Sequence, residues 1–341
     1  MRIAIVNDLA LAREVLRKLV LSVPGYSVAW MAEDGHDAIQ KTAADSPDVI
    51  LMDLVMPRLG GVEATRAIMQ RKPCAILVVT ATVKGHYEMV IGAINAGALD
   101  AVETPQFGAT GAILNGQPLL NRLAKLADAR RGVTGSALHV PIRIAGPAAD
   151  CPPLVVIGAS TGGPDALATV LGSFPRDFSA ATVIVQHIAA EFAPSLANWL
   201  AERTKLPIQT VKQGDRPASG VVYIAETNDH LEITPDHRLH YTPSPRHNPY
   251  RPSIDVLFTS AASVWPRLGV GVLLTGMGSD GADGLLRLKE LGWHTIAQNE
   301  ATCVVYGMPK AAADKRAASE ILPLDAIGPA AANKILGVKR R

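Results

Sequence analysis

A serine hydroxyl attacks an acyl carbon only when a base takes its proton. A histidine serves as that base only when a third group fixes its tautomer and stabilises the imidazolium. Residues for all three parts stand at the ends of apolar runs. Leu154–Ile157 leads into Gly158-Ala159-Ser160-Thr161-Gly162-Gly163, Thr182–Gln186 into His187, and Gly271–Thr275 into Gly276-Met277-Gly278-Ser279-Asp280. The first of these fits the G-x-S-x-G turn that presents a nucleophile between a strand and a helix. The order Ser…His…Asp differs from that of ordinary α/β-hydrolases, but a triad is defined by geometry. Plainer readings exist for each residue. Ser160 could cap a helix or belong to a phosphate-cradling loop, His187 could be a core histidine, and Asp280 could be a helix cap.

Acidic residues mark a second place. Asn7-Asp8 follows the apolar run Ile3–Val6, and Asp53 follows Val49–Met52. Strand C-termini of an open parallel sheet line its functional crevice. Two carboxylates converging there make a hard-oxygen site suited to Mg²⁺, with the metal screening an incoming phosphoryl group while one carboxylate attacks it. The alternative is that these aspartates only cap helices.

The elements that would carry these residues alternate strand and helix, the pattern of parallel α/β domains. Strands are expected at Ile3–Val6, Val28–Met31, Val49–Met52, Ile76–Thr80 and Ala101–Val102, with helices at Ala12–Ser22, Gly35–Ala44, Gly61–Gln70 and Tyr87–Gly97. This predicts a doubly wound sheet over residues 1–105. From 106 to 152 the chain turns Gly-, Ala- and Pro-rich, and only Leu119–Arg131 keeps apolar periodicity, so a linker holding one amphipathic helix is expected. A second α/β domain, 153–341, opens with Leu154–Gly158 and continues with strands at Thr182–Gln186, Gly220–Ala225, Gly269–Thr275 and His294–Ala297.

Composition narrows the class. A chain of 341 residues suggests two domains, and 48% hydrophobic with 19% charged residues is ordinary for a soluble globular protein. A net charge of +2 gives no reason to expect nucleic acid or an anionic membrane as partner, and the basic Lys339-Arg340-Arg341 end reads as a solvated terminus. Cys74, Cys151 and Cys303 are far apart and form no CxxC pair, so neither a disulfide framework nor a zinc site is expected. The first apolar run is too short for a signal peptide, and no stretch reaches the ~20 apolar residues of a membrane span. These features predict a cytoplasmic protein without membrane insertion.

Wider motifs give both constellations a family resemblance. Pro47-Asp48-Val49-Ile50-Leu51-Met52-Asp53-Leu54-Val55-Met56-Pro57, then Gly60-Gly61, Thr80 and Ala98-Leu99-Asp100, resemble the flavodoxin-like receiver domain of two-component response regulators. The resemblance implies Asp53 as phospho-acceptor, Asp8, Asp53 and the carbonyl of Val55 as Mg²⁺ ligands, Thr80 as the switch hydroxyl and a histidine kinase as phosphodonor. Departures are visible. One of the usual paired acids is Asn7, Thr104 stands where a Lys before Pro105 is usual, and Ala101 replaces an aromatic partner of the switch. The lost ammonium would have made a charge-assisted contact to the phosphoryl group.

Gly158–Gly163, Gln186-His187-Ile188, Arg251-Pro252-Ser253-Ile254-Asp255-Val256-Leu257-Phe258, Leu274–Gly278, Gly281-Ala282, Thr295–Gln298 and Val304–Pro309 follow in order. Together they resemble the CheB-type protein-glutamate methylesterases of chemotaxis. That likeness implies Ser160 as nucleophile, His187 as general base, Asp280 as its orienting acid, the Met277 N–H in the oxyanion hole and Thr161 near the reacting centre. It implies methyl-accepting chemoreceptors as substrates, hydrolysis without a cofactor, deamidation of receptor glutamines as a related activity, and a receiver that covers the crevice until phosphorylated. Thr104 in its Gly-Ala-Leu-Asp-Ala-Val-x-Thr-Pro setting further resembles the Wsp-type, surface-sensing branch. Arg251 and the run after it could line the crevice or be structural.

Two rivals come from other classes. Gly276-x-Gly278-x-x-Gly281, with Glu300 placed to meet a ribose, matches a nucleotide-dependent oxidoreductase fingerprint. That reading leaves Ser160 and His187 idle and puts the motif after at least two earlier strands. A non-catalytic response regulator is the other rival, and the complete triad argues against it.

Overall fold

The computed structural model describes residues 1–81, 87–108, 112–130, 151–246, 248 and 250–338. It divides into two compact units, Met1–Val133 and Thr134–Arg341.

In the first unit β1 (Arg2–Val6), β2 (Ser27–Ala32), β3 (Val49–Met52), β4 (Ala75–Thr80) and β5 (Asp100–Glu103) form a parallel sheet in the order β2-β1-β3-β4-β5. The helices α1 (Ala10–Leu21), α2 (Gly35–Ala44), α3 (Gly61–Arg71) and α4 (Tyr87–Asn95) connect the strands. β3 and β4 are buried at every residue, which is why they read as unbroken apolar runs rather than alternating ones. The edge strand β2 keeps exposed positions. Asp34 caps α2 by accepting the Asp37 N–H at 2.9 Å.

Beyond β5 come a short antiparallel pair, β6 (Gln106–Phe107) and β7 (Ile113–Leu114), and α5 (Gly116–Arg130). The helix expected inside a linker is therefore an integral part of the first unit. Leu119 and Leu123 are fully buried in one cluster with Leu16, Leu19, Val20 and Val102, and Arg122 Nε meets Asp100 Oδ2 at 2.7 Å. Residues 131–150 of the expected linker, and the basic end 339–341, lie outside the described residues.

The second unit is built on a seven-stranded parallel sheet, ordered β10-β11-β9-β8-β14-β15-β16. Its strands are β8 (Leu154–Ala159), β9 (Ala181–Gln186), β10 (Ile208–Thr210), β11 (Val222–Ile224), β14 (Val270–Leu273), β15 (His294–Gln298) and β16 (Glu320–Leu322). An antiparallel hairpin, β12 (His230–Ile233) with β13 (Leu239–Thr242), stands apart from it. The helices are α6 (Gly163–Gly172), α7 (Ala193–Ala201), α8 (Ile254–Val264), α9 (Ala282–Glu290), α10 (Met308–Asp314) and α11 (Leu324–Val338). β8 and β9 are buried throughout, and the core joins Val156, Val183 and Leu273 of the sheet to Leu257 and Phe258 of α8 and Leu285 of α9. β8 runs on through β9 to one edge, whereas the later strands begin on its other side with β14. That reversal is a topological switch point, where open α/β sheets place their sites. No described helix is long and apolar enough to cross a membrane.

Candidate active site

Ser160 is the first residue past β8 and is nearly buried. Its N–H donates to the Thr275 carbonyl at 3.0 Å and its carbonyl accepts from the Gly163 N–H at 2.8 Å, which tightens the turn into α6. The N-cap of α6 is Gly162, with φ +75° and no side-chain cap bond, so Ser160 does not cap the helix. Gly276 makes room for the serine: a Cβ there would lie 2.6 Å from Ser160 Cβ and 2.5 Å from Met308 Sδ.

His187 enters on the neighbouring strand. Its N–H donates to the Ala159 carbonyl at 3.0 Å, extending the β8–β9 ladder and bringing it beside Ser160. Gln186 ties the two residues together, its Nε2 donating to the Ser160 carbonyl at 2.8 Å and to the His187 carbonyl at 3.3 Å. Ser160 and His187 each follow directly on the paired ends of β8 and β9, with no hydrogen bond between hydroxyl and imidazole among the described contacts. The ring reaches the other way, placing Nε2 2.8 Å from Asp280 Oδ2. A carboxylate on Nε2 fixes the proton there and leaves Nδ1 as the basic nitrogen.

Asp280 is 2% exposed and takes donors from several directions. Besides His187, Ser253 Oγ donates to Oδ1 at 2.8 Å, the Ile254 N–H to Oδ2 at 2.7 Å and the Asp255 N–H to Oδ1 at 3.2 Å. The carboxylate thus sits at the N-terminus of α8, where free N–H groups and the helix dipole favour an anion. Burial works against its charge, but the bond to His187 and those from Ile254 and Ser253 outweigh it and hold the carboxyl below its ordinary value. Asp255 goes the other way. Burial first, then the Asp280 charge, raise its carboxyl well above the ordinary range, while its Oδ1 accepts the Gly284 N–H at 2.6 Å. Of the two neighbouring acids, Asp280 is thus biased toward its charged form and Asp255 toward its neutral form. Asp280 does not cap α9, whose N-cap is Gly281.

Around Ser160, the Thr161 hydroxyl is buried without a hydrogen-bond partner, and Met277 is 44% exposed at the turn after β14. The glycines of the nucleotide-fingerprint rival are occupied by protein. A Cβ on Gly278 would strike the Tyr250 hydroxyl, and one on Gly281 would strike Leu273 and Ile254, so the side-chain space at these glycines is filled by protein. A thiol is no competitor to Ser160, because burial pushes Cys303 up to about 12.

In the first unit, Asn7 and Asp53 meet at the β1–β3 switch point. Asn7 Oδ1 accepts the Leu9 N–H at 2.8 Å, which orients the amide so that Nδ2 donates to Asp53 Oδ2 at 2.8 Å. Asp53 Oδ1 accepts the Leu54 N–H at 2.7 Å. Gly61 lets α3 start over this carboxylate, since any Cβ there would lie 1.9 Å from the Asp53 carbonyl oxygen. Asp8 and Val55 are exposed, Thr80 is buried, and the Thr104 N–H donates to the Thr80 carbonyl at 2.9 Å. Ala101 is fully buried in β5. No cluster of three or more acidic, His or Cys ligands forms among the described residues. The carboxylates of Asp8 and Asp53 with the Val55 carbonyl still fit a hard divalent cation that completes its shell with water.

Sequence reasoning missed Gln186 and Tyr250 as parts of the site, and it left the run Ser253–Asp255 open between lining the crevice and a structural role. Ser253 carried a signal: it precedes an apolar run, and its side chain caps α8 by accepting the Val256 N–H. Arg251 donates to the Arg246 carbonyl, which makes it a tie within its own loop.

The description "CheB methylesterase" matches residues 155–331, and "Response regulator receiver domain" matches residues 3–107. A protein-glutamate methylesterase/protein-glutamine glutaminase of Mesorhizobium japonicum is 49% identical over 338 residues, covering 96% of this chain and 97% of its own. One from Cupriavidus metallidurans is 50% identical over 329 residues, with 96% and 97% covered. The crystal structure of the Thermotoga maritima CheB methylesterase catalytic domain is 34% identical with a TM-score of 0.50, covering 55% of this chain and 98% of that one. With the methylesterase family matched over more than half its length behind a receiver, this chain belongs to the CheB methylesterase family.

Proposed function

We propose that the second unit hydrolyses glutamate methyl esters on the helical cytoplasmic domain of methyl-accepting chemoreceptors, and deamidates receptor glutamines by the same acyl chemistry. The observation that carries the mechanism is the 2.8 Å contact between His187 Nε2 and Asp280 Oδ2. With its proton held on Nε2, His187 takes the Ser160 hydroxyl proton on Nδ1 as Oγ attacks the ester carbonyl. The carbonyl oxygen becomes an anion, which the Met277 N–H and Thr161 receive; one such donor is typically worth ~3 kcal/mol. The C–O bond to methoxide breaks, the imidazolium returns its proton and methanol leaves. Water then attacks the acyl-enzyme with His187 again as base, giving glutamate and free Ser160. With a glutamine, ammonia leaves instead.

The first unit is the regulatory receiver. Asp53 accepts a phosphoryl group from a histidine kinase, and Mg²⁺ held by Asp8, Asp53 and the Val55 carbonyl would screen its charge. The reading implies a cytoplasmic enzyme.

Methanol release from a purified, methylated receptor tests this. Ser160→Ala should abolish release while leaving the fold intact, with the loss reaching about 10⁴-fold or more. Retention of a tenth of wild-type turnover would overturn the assignment of Ser160.

A further inference from the structure

His187 is held on a second side. The ring of Tyr250 lies almost parallel to the imidazole, with centroids 5.2 Å apart and planes 8° apart. Its phenol oxygen lies against the turn that delivers Asp280. Gly278 is what lets the hydroxyl reach that turn, for a Cβ there would lie 2.2 Å from it. At its other end Tyr250 is fixed by its own N–H, which donates to Asn248 Oδ1 at 2.9 Å. Burial, with the Asp280 charge behind it, pushes the phenol above its ordinary value, so the group stays neutral and does not compete with His187 as a base. One short run, Tyr250–Asp255, therefore supplies both the face against the imidazole and the donors to its carboxylate partner.

An imidazole that lacks a hydrogen bond to its serine can rotate about χ1 and χ2 unless something confines it. The Asp280 contact fixes one atom of the ring, and a flat neighbour fixes its plane. We infer that Tyr250 is a positioning residue for acyl transfer: its ring holds His187 in the plane that joins Nε2 to Asp280 and leaves Nδ1 for Ser160, and offers a π face to the imidazolium formed in the transition state. The inference rests on His187 being the base.

Full-length protein carrying Tyr250→Leu, Tyr250→Phe or His187→Ala tests it. Leucine keeps apolar bulk and removes the flat ring; phenylalanine keeps the ring and removes only the hydroxyl. Tyr250→Leu should lower kcat for methanol release by about 10- to 30-fold with KM nearly unchanged, and slow labelling of Ser160 by a fluorophosphonate probe to the same degree. Tyr250→Phe should restore both. The low-field NMR proton of the His187–Asp280 hydrogen bond should persist with phenylalanine and broaden or vanish with leucine. Wild-type kcat and labelling in Tyr250→Leu would overturn the inference. So would equal losses in both variants, which would make the phenol a fold tie and nothing more. Full activity in His187→Ala would instead remove the base assignment beneath it.

Discussion

The two crevices of this chain lie at equivalent places, each at a switch point of a parallel sheet, yet they are furnished in opposite ways. In the second unit the buried acid Asp280 is surrounded by donors from His187, Ser253, Ile254 and Asp255, all supplied by the protein. In the first unit the Asp53 carboxylate accepts from the Asn7 amide and the Leu54 N–H. The guanidinium of Arg13, on α1, is spent on the carbonyls of Asn7 and Asp8 and on Glu33. The donors to Asp280 are thus in place before substrate arrives, as electrostatic preorganisation requires. The acceptor site, as proposed, takes a cation and a phosphoryl group in addition. The contrast matches what each centre does. One must turn over unaided, and the other must rest in one state and respond in another.

The comparison breaks first at Asp280. Asp280→Asn should keep the fold and lower turnover by roughly 10⁴-fold, because an amide can present the wrong hydrogen-bonding face to His187 and cannot stabilise its cation. Single-turnover acylation would measure this. A wild-type rate would pass the role to Asp283, although that side chain is exposed on α9 and paired with Lys315 at 2.5 Å.

The receiver should respond to added charge. Asn7→Asp should tighten Mg²⁺ binding, read by calorimetry, on the order of tenfold, since an amide donor becomes a second buried carboxylate beside Asp53. Thr104→Lys should raise esterase activation by a small phosphodonor at equal labelling, because an ammonium replaces a neutral hydroxyl at the phosphoryl group. Unchanged affinity and unchanged activation would mean that other residues have taken over both functions.

The smallest effect is at Asp255. A carboxyl whose folded value is raised gives stability that is full below its unfolded value and lost as pH rises through the folded one. Asp255→Asn imitates the protonated form and removes that loss. Its melting temperature relative to wild type should therefore climb by roughly a few degrees as pH rises from the unfolded value of Asp255 through its raised folded one. A constant difference across that range would place the proton elsewhere.

The strands that carry Ser160, His187, Asp280 and Asp53 were legible because they are buried on both faces and read as apolar runs. β10 and β16 were not: three residues each, at sheet edges, give no run and no usable period. α5 was legible as a helix but not as part of the receiver, since its partners Leu16, Leu19 and Asp100 lie far back in the chain. The same blindness hid Tyr250 and left the role of the start of α8 open. What they do for His187 and Asp280 depends on a loop folding across the sheet, and no spacing in the sequence encodes that approach.

Active-site residues usually cost a protein stability, because a group poised for chemistry is rarely the best one for the fold. Asp280 is placed to escape that trade-off. The donors that hold it ionised for His187 are the orphan N–H groups and capping serine that open α8, so catalysis and helix initiation draw on one charge. A carboxyl with a depressed folded value gives stability above its unfolded value and loses it as pH falls through the folded one. With Asp280 in the orienting role proposed, acid should therefore withdraw activity and structure together, and thermostabilising selection has no reason to sacrifice that carboxylate.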